Sequence, residues 1–338
     1  MNIILVDTEA AGSRYTRDWK THIPQQLTAR GHKITVIEGT PPLPPGKGQW
    51  LNAAGTIQYK SEQQAQLAEL FHTGKIAEAN LILFTDAWNP TILTVRYQSA
   101  LTGHTVKMAG LWHAGAYDPW DLLGQRAGDQ PWIQHTEQSL LQALDYNFFA
   151  TDWHRRLCTA GRGDIPHAHT VGWPCEYIPP RFVDLKTPGS RPLIMVPHRD
   201  SPEKQLQIAR DLQAHMPECD WMITADHPHC DYVALMGRSH MVFSANLQET
   251  LGIAVYEGLC AGARPLVPQR LSYREMYDPR YVYPSEWTEH WDSYTRYRPQ
   301  LIDRIRRDLQ RTDNLVHEAH TVARRYFTGD ELYRVLGL

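Results

Sequence analysis

Short apolar runs alternate with helical stretches through the whole chain, and the rhythm is played twice. In the first half the strand-like runs are 2–7, 33–38, 81–86, 106–111 and 147–151. Between and after them lie helical stretches at 16–30, 61–72, 91–102, 134–144 and 152–160. Around 178–192 the pattern dissolves into Pro, Gly and Ser, which reads as a linker. The second half restarts with strands at 193–196, 221–224, 241–244 and 265–267 and helices at 202–215, 231–237, 251–261 and 272–277. Such alternation predicts parallel α/β architecture. A chain of 338 residues is too long for one ordinary core. The expectation is two Rossmann-like domains, 1–180 and 181–300, followed by a helical segment, 301–338, in which Pro299 opens a long charged helix. Ligands of such folds bind beyond the carboxyl ends of the strands.

The composition narrows the class. An apolar fraction of 42% with 21% charged residues fits a water-soluble globular chain. No apolar run approaches the roughly 18 residues of a membrane span, so no membrane partner is expected. Residues 1–6 meet Asp7 at once and read as a first strand rather than a leader peptide. Five cysteines with no CxxC spacing point to a reduced, cytoplasmic setting. The net charge of −3 does not announce a nucleic-acid binder, although a local patch can still hold phosphate. No GxGxxG follows the first strand and no GxxxxGK[ST] occurs; Gly46-Lys47-Gly48 lacks the Walker spacing.

The stretch 244–268 carries the strongest chemical signal. Glu249 and Glu257 stand eight positions apart around an apolar run, followed by Gly262 and a short strand. With a helix beginning near Thr250 and Leu251, one carboxylate lies at its N-terminus and the other two turns down. Eight helical residues rise roughly 12 Å. That separation suits an elongated ligand with a ring at each end and a charged bridge, the shape of a nucleotide-sugar. Upstream, Arg199 and Lys204 follow a strand end, with Lys204 expected in the first turns of a helix. Two converging cations fit a diphosphate, Arg as a fork and Lys as a point charge. Taken singly, each is more often a solvated surface cation. Their order ahead of Glu249 and Glu257 favours the site.

Arg199-x4-Lys204 followed by Glu249-x7-Glu257, within Ser-x-x-Gln-Glu-Thr-Leu-Gly-Ile-Ala, resembles the retaining GT-B glycosyltransferases of family 4. The resemblance covers the C-terminal half. It implies two Rossmann-like domains facing a central cleft, with a C-terminal helix crossing back. It implies a nucleotide-sugar donor, a UDP-sugar first, with no permanently bound cofactor and no metal. It assigns Arg199 and Lys204 to the donor diphosphate, Glu249 to the transferred sugar and Glu257 to the ribose. Thr250 and Leu251 open the helix whose N–H groups face the phosphates. In the first half, His113 after the strand 106–111 corresponds to a histidine that contacts the donor sugar, and Gly12 to a glycine that lets the backbone approach the phosphates.

The acceptor is less legible. Eight of the eleven tryptophans precede residue 180, and Trp112, Tyr117, Asp118 and Asp121 concentrate rings and carboxylates just past a strand end. Rings stack on sugars or bases and a carboxylate accepts from a hydroxyl, whereas any single tryptophan is more often core. Four segments of this half (Val6-Asp7 with Arg14-Tyr15-Thr16, 83–88, 110–124, 172–174) resemble virus-encoded glycosyltransferases. Some of these modify 5-hydroxymethylated pyrimidines in DNA, which implies DNA as acceptor and a bacteriophage setting. Between Arg296 and Arg325, eight arginines face four acids, and Arg304, Arg307 and Arg311 share a helix face able to grip phosphates or to lie solvated. His167-Ala168-His169 and His227-Pro228-His229-Cys230 lack the paired spacing of a zinc site. The alternatives are the same enzyme class acting on a small molecule, glycan or tRNA base, a non-catalytic sugar-nucleotide-binding module, and a nucleotide-sugar epimerase. The oligomeric state is not written in the sequence.

Overall fold

The computed structural model describes residues 1–10, 15–43, 52–187, 189–227 and 231–338. They form two compact units. The first comprises Met1–Ala150, Arg155–Pro174 and Gly329–Leu338, the second Thr151–His154 and Cys175–Thr328. The chain thus passes into the second unit ahead of the Pro/Gly/Ser-rich stretch. Of the helical tail, 301–328 groups with the second unit and the last ten residues with the first.

The first unit holds β1 (Asn2–Val6), α1 (Tyr15–Ala29), β2 (Lys33–Ile37), α2 (Ala53–His72), β3 (Leu81–Phe84) and α3 (Thr91–Thr102). After these come β4 (Lys107–Trp112), α4 (Leu122–Ala127), α5 (Pro131–Ala143), β5 (Tyr146–Phe149), α6 (Asp152–Arg162) and β6 (Ala168–Thr170). The strands pair in parallel in the order β2-β1-β3-β4-β5-β6. All five strands read from the sequence form. The sixth, β6, was missed, because its three half-exposed residues carry no apolar signal.

The second unit holds β7 (Leu193–Val196), α7 (Leu206–His215), β8 (Asp220–Ile223), α8 (Tyr232–Arg238), β9 (Met241–Phe243) and α9 (Ile253–Cys260). It continues with β10 (Arg264–Pro268), α10 (Tyr273–Met276), β11 (Val282–Tyr283), α11 (Trp291–Leu309) and α12 (Leu315–Tyr326); α13 (Asp330–Leu336) belongs to the first unit. Its sheet, also parallel, runs β11-β10-β9-β7-β8. Short, wholly apolar strands such as β3 and β7 are buried on both faces, as strands of a helix-covered parallel sheet must be. One core gathers Phe84, Trp112, Leu140 and Phe149, the other Ile194, Leu212, Phe243 and Leu301.

Both sheets reverse direction in the same place. In the first, β1 neighbours β2 on one side and β3 on the other. In the second, β7 lies between β8 and β9. Crossovers leave such a point on opposite faces, so in each sheet, taken by itself, a crevice opens at the carboxyl end of that strand.

Three local expectations are corrected. Pro299 does not open α11 but lies inside it, and the helix starts at Trp291 behind His290, whose Nδ1 accepts from Ser293 N–H. The helix expected over 202–215 is broken. A single 3-10 turn, Pro202–Lys204, ends at Gln205, whose φ of +49° lies in the left-handed region. The helix expected from Thr250 starts at Ile253, because Gly252, at φ +77°, turns the chain first. A Cβ on Gly252 would stand 2.7 Å from the Tyr273 ring.

Candidate functional site

In the second unit the predicted residues gather at the carboxyl ends of β7 and β9, where the sheet reverses. Arg199 and Lys204 leave β7 on one loop. The loop after β9 carries Asn246 and Glu249, and α9 carries Glu257. The Arg199 guanidinium donates to Glu203 Oε1 at 2.7 Å, and Ser201 Oγ donates to the same oxygen at 2.7 Å. Lys204 is buried, its Nζ donating to Gln248 O at 2.7 Å and standing 3.6 Å from Glu249 Oε2. Glu249 accepts at Oε1 from the N–H of Thr250 at 3.2 Å and at Oε2 from Asn246 Nδ2 at 3.4 Å. Leu251 is buried.

The break at Gln205 brings these groups together. A continuous helix would carry Lys204 around its barrel. Instead Gln205 Nε2 donates to Ala245 O and Thr288 O, each at 2.7 Å, and Leu247 N–H donates to Glu203 O at 2.8 Å. From the far side Arg270 donates to Asn246 O at 2.7 Å, to Ala245 O at 2.8 Å and to Ser285 O at 2.9 Å. The Glu249 loop is therefore held at both flanks by cationic or amide side chains that take its carbonyls. Sequence reading missed both Gln205 and Arg270; neither belongs to the pattern of Arg199, Lys204, Glu249 and Glu257.

Glu257 accepts at Oε2 from the Tyr232 hydroxyl on α8 at 2.6 Å. Its helix lies unusually close to the sheet: a Cβ on Gly258 would come within 2.2 Å of Val242 Cγ2 on β9. His198, next to Arg199, was also missed. It is 5% exposed, and Nε2 is sealed from solvent with no hydrogen-bond partner among the described residues. Burial, with Lys204 and Arg199 adding to it, pushes its pKa well below the ordinary histidine value.

In the first unit His113 follows β4. Its Nε2 is 2.6 Å from Thr85 O, which can only accept, so Nε2 carries the hydrogen. Burial lowers the pKa of the ring against the opposing pull of Asp86 and Thr85 O. In the neutral ring Nδ1 accepts from the Tyr15 hydroxyl at 2.5 Å. Tyr15, Trp19 and Trp173 surround the imidazole with ring centroids 5.4–5.7 Å away. Asp86, at the end of β3, bonds Lys60 at 2.7 Å. Burial would raise its carboxyl, but Lys60 and His113 outweigh it and hold it below the ordinary carboxylate range. Gly12 lies outside the described residues.

The four acceptor candidates do not form one open surface. Trp112 is enclosed in the core and donates its indole N–H to Asn147 at 2.8 Å. Tyr117 is buried, with Arg162 5.8 Å above its ring. Asp118 is buried and accepts from Trp120 N–H; Asp121 caps α4 by accepting from Leu123 N–H. Behind them stands Glu137 of α5, wholly buried. It accepts from Trp88 Nε1 at 2.8 Å, from Ala116 N–H at 2.6 Å and from Arg162 Nε at 2.6 Å. It thereby anchors the loop that follows His113.

The arginines of α11 are largely spoken for. Arg304 donates to Asp308 at 2.7 Å and to Arg280 O at 2.6 Å, and Arg306 to Glu218 at 2.7 Å. Arg307 donates to Asp303 O at 3.3 Å, whereas Arg311, expected on the same helix face, lies beyond the end of α11 and stands 3.9 Å from Asp308. Among the described residues no three His, Cys, Asp or Glu side chains gather as metal ligands, and no helix is long and apolar enough to cross a membrane. Pro228, His229 and Cys230 lie outside the described residues.

No model of a known family matches the sequence, and no curated protein sequence does. Solved structures do match, over the whole chain. Sucrose-phosphate synthase from Thermosynechococcus elongatus is 12% identical with a TM-score of 0.65, covering 100% of this chain and 99% of its own. Anabaena HepE in complex with UDP is 12% identical at a TM-score of 0.62, covering 99% and 98%. The catalytic domain of starch synthase IV from Arabidopsis thaliana, bound to ADP and acarbose, is 9% identical at 0.61, covering 99% and 97%. The chain has the fold of these glycosyltransferases, an α/β fold with two parallel Rossmann-like sheets.

Proposed function

We propose that the protein is a retaining glycosyltransferase that moves a sugar from a nucleotide-sugar, a UDP-sugar first, to a hydroxyl acceptor. The observation that carries this reading is the approach of Lys204 to Glu249 at the reversal point of the second sheet, with Arg199 on the loop that carries Lys204 and Glu257 on the adjoining helix. The fold shared with enzymes seen with UDP or ADP supports it.

On this reading Arg199 and Lys204 hold the diphosphate, Glu249 takes hydroxyls of the transferred sugar, and Glu257 takes the ribose. As the bond from the anomeric carbon to the diphosphate breaks, negative charge grows on the leaving oxygen and positive charge on the sugar ring. The two cations stabilise that charge as it develops. The acceptor oxygen bonds to the anomeric carbon on the face the diphosphate leaves, and its proton passes to the departing phosphate. In the first unit the neutral His113–Tyr15 pair is assigned to a sugar hydroxyl, with Lys60 and Asp86 beside it.

For the acceptor we carry forward 5-hydroxymethylcytosine in DNA, supported by the resemblance of the first half to virus-encoded enzymes. The ion pairs of Arg304 and Arg306 lend that choice nothing. The test is incubation with hydroxymethylcytosine DNA and a panel of nucleotide-sugars, followed by mass spectrometry of the nucleosides and proton NMR of the new glycosidic bond. A hexose added with the donor's anomeric configuration is expected. An inverted bond removes the retaining mechanism; an unmodified base with every donor, while donor is still hydrolysed, removes the DNA acceptor alone.

A further inference from the structure

His198 sits between the end of β7 and Arg199 in a position where a histidine is costly. Its side chain is 5% exposed, and its Nε2 has neither solvent nor a hydrogen-bond partner among the described residues. An unpaired buried polar atom of this kind destabilises the fold. The ring is also flanked by two cations, Lys204 and Arg199, the worst neighbours for an imidazole that would gain charge. Its own carbonyl accepts from Thr224 Oγ1 at 3.2 Å, which fixes the backbone at this point.

The surroundings make sense if an anion completes them. We propose that His198 is a third phosphate-facing group of this site and takes up one proton from solvent when the diphosphate of a nucleotide-sugar binds. The inference rests on the donor reading given above and adds a residue to it. A bound diphosphate offsets the charge of Arg199 and Lys204, supplies an acceptor for the orphaned nitrogen, and stabilises the imidazolium by the same field that stabilises the other two cations.

The charged groups around the ring are Arg199 and Lys204 on its own loop and Glu203 and Glu249, which pair with them. On the turn after β8 stand Asp226, held by Arg210, and the neighbouring His227. Among these side-chain types only the imidazoles ordinarily titrate between pH 5 and 8, so a variant at 198 separates its contribution from that of His227. Proton uptake is expected between the low value of the free ring and the higher one of the bound ring. It vanishes above that window, where both states are neutral.

The test is calorimetric titration of the protein with UDP-glucose near pH 6.5 in two buffers of different ionisation heat, with wild type and His198→Gln compared. The diphosphate of UDP-glucose is a diester and carries no proton of its own in this range. Wild type is expected to take up close to one proton and to bind about tenfold more tightly at pH 6 than at pH 8, a tenfold change corresponding to one unit of pKa. His198→Gln is expected to bind with neither proton uptake nor pH dependence. Equal uptake in both proteins, or none in wild type, overturns the proposal. If the Gln variant does not fold, His198→Asn takes its place. If UDP-glucose gives neither heat nor displacement of UDP, the uridine donor reading has failed. The His198 Cε1–H resonance is then titrated with and without inorganic sulfate, and a midpoint that sulfate leaves unmoved overturns the proposal as well.

Discussion

Lys204 Nζ stands 3.6 Å from Glu249 Oε2 while donating to the carbonyl of Gln248, so one buried ammonium ties the loop after β7 to the loop after β9. The two loops belong to the strands that flank the sheet's reversal point. A charge that would be expensive to bury alone is tolerated because a carboxylate and a carbonyl face it. On the proposed reading, the same ammonium is the counter-charge offered to a leaving diphosphate.

Removing either charge should abolish turnover more than it disturbs the fold. Glu249→Gln keeps the hydrogen-bonding shape and is expected to lower kcat by about 100-fold or more, the scale of losing one preorganised electrostatic contact. Lys204→Met should do the same while preserving the buried stem. Near-normal kcat in both variants, with melting temperatures close to wild type, would overturn the roles given to them.

Glu137 offers a test of the first unit that does not depend on the donor. Its carboxylate serves Trp88, Ala116 and Arg162 at once and has no exposure. Glu137→Ala strands a buried guanidinium and is expected to cost about 3–5 kcal/mol, the scale of breaking a buried ion pair. Urea denaturation followed by tryptophan fluorescence measures it. A loss below about 1 kcal/mol would mean that solvent reaches Arg162 and that the loop after His113 is not anchored here.

Gly258 tests the close approach of α9 to the sheet. A methyl group there collides with Val242 Cγ2, and overpacking of this kind costs about 1–3 kcal/mol. Gly258→Ala should therefore raise donor KM as well as lower stability, because Glu257 precedes it on the same helix. Val242→Ala in the same chain should recover part of the stability, and a double-mutant cycle reads the coupling. Additive losses would show that the helix shifts freely and that the contact is not the constraint.

How much was legible follows from what each residue signals. Every strand of four residues or more announced itself, the inner ones because a parallel sheet covered on both faces demands apolar runs, and the mostly exposed edge strand β2 through its β-branched residues Ile34 to Ile37. β6 and β11, with three and two residues, fall below that signal. The approach of Lys204 to Glu249 was legible because both belong to the ordered pattern Arg199-x4-Lys204 and Glu249-x7-Glu257, each pair short in sequence. The break before α7 was not, because a glutamine at positive φ has no sequence signature. Gln205 adopts it for the two carbonyls its amide reaches, 40 and 83 residues away. Glu137 and Arg270 were invisible for the same reason: their partners are distant. Trp112 and Asp118, singled out for their chemistry, proved buried, since a strand end is also where a core closes.

The two depressed histidines predict how stability depends on acid. Burial lowers the pKa of His113 and, more strongly, of His198, whereas in the unfolded chain both return to about 6.5. Below that value the unfolded state binds protons that the native state refuses, so stability rises with pH across the window and levels off above about 7. Their contribution is fully present above the unfolded value and is lost as pH falls toward the folded ones. Thermal melts from pH 5 to 8 should show this climb, and His198→Gln should flatten part of it while leaving the share due to His113. A variant whose melting curve keeps the full wild-type slope would show that the imidazole at 198 reaches water and titrates normally.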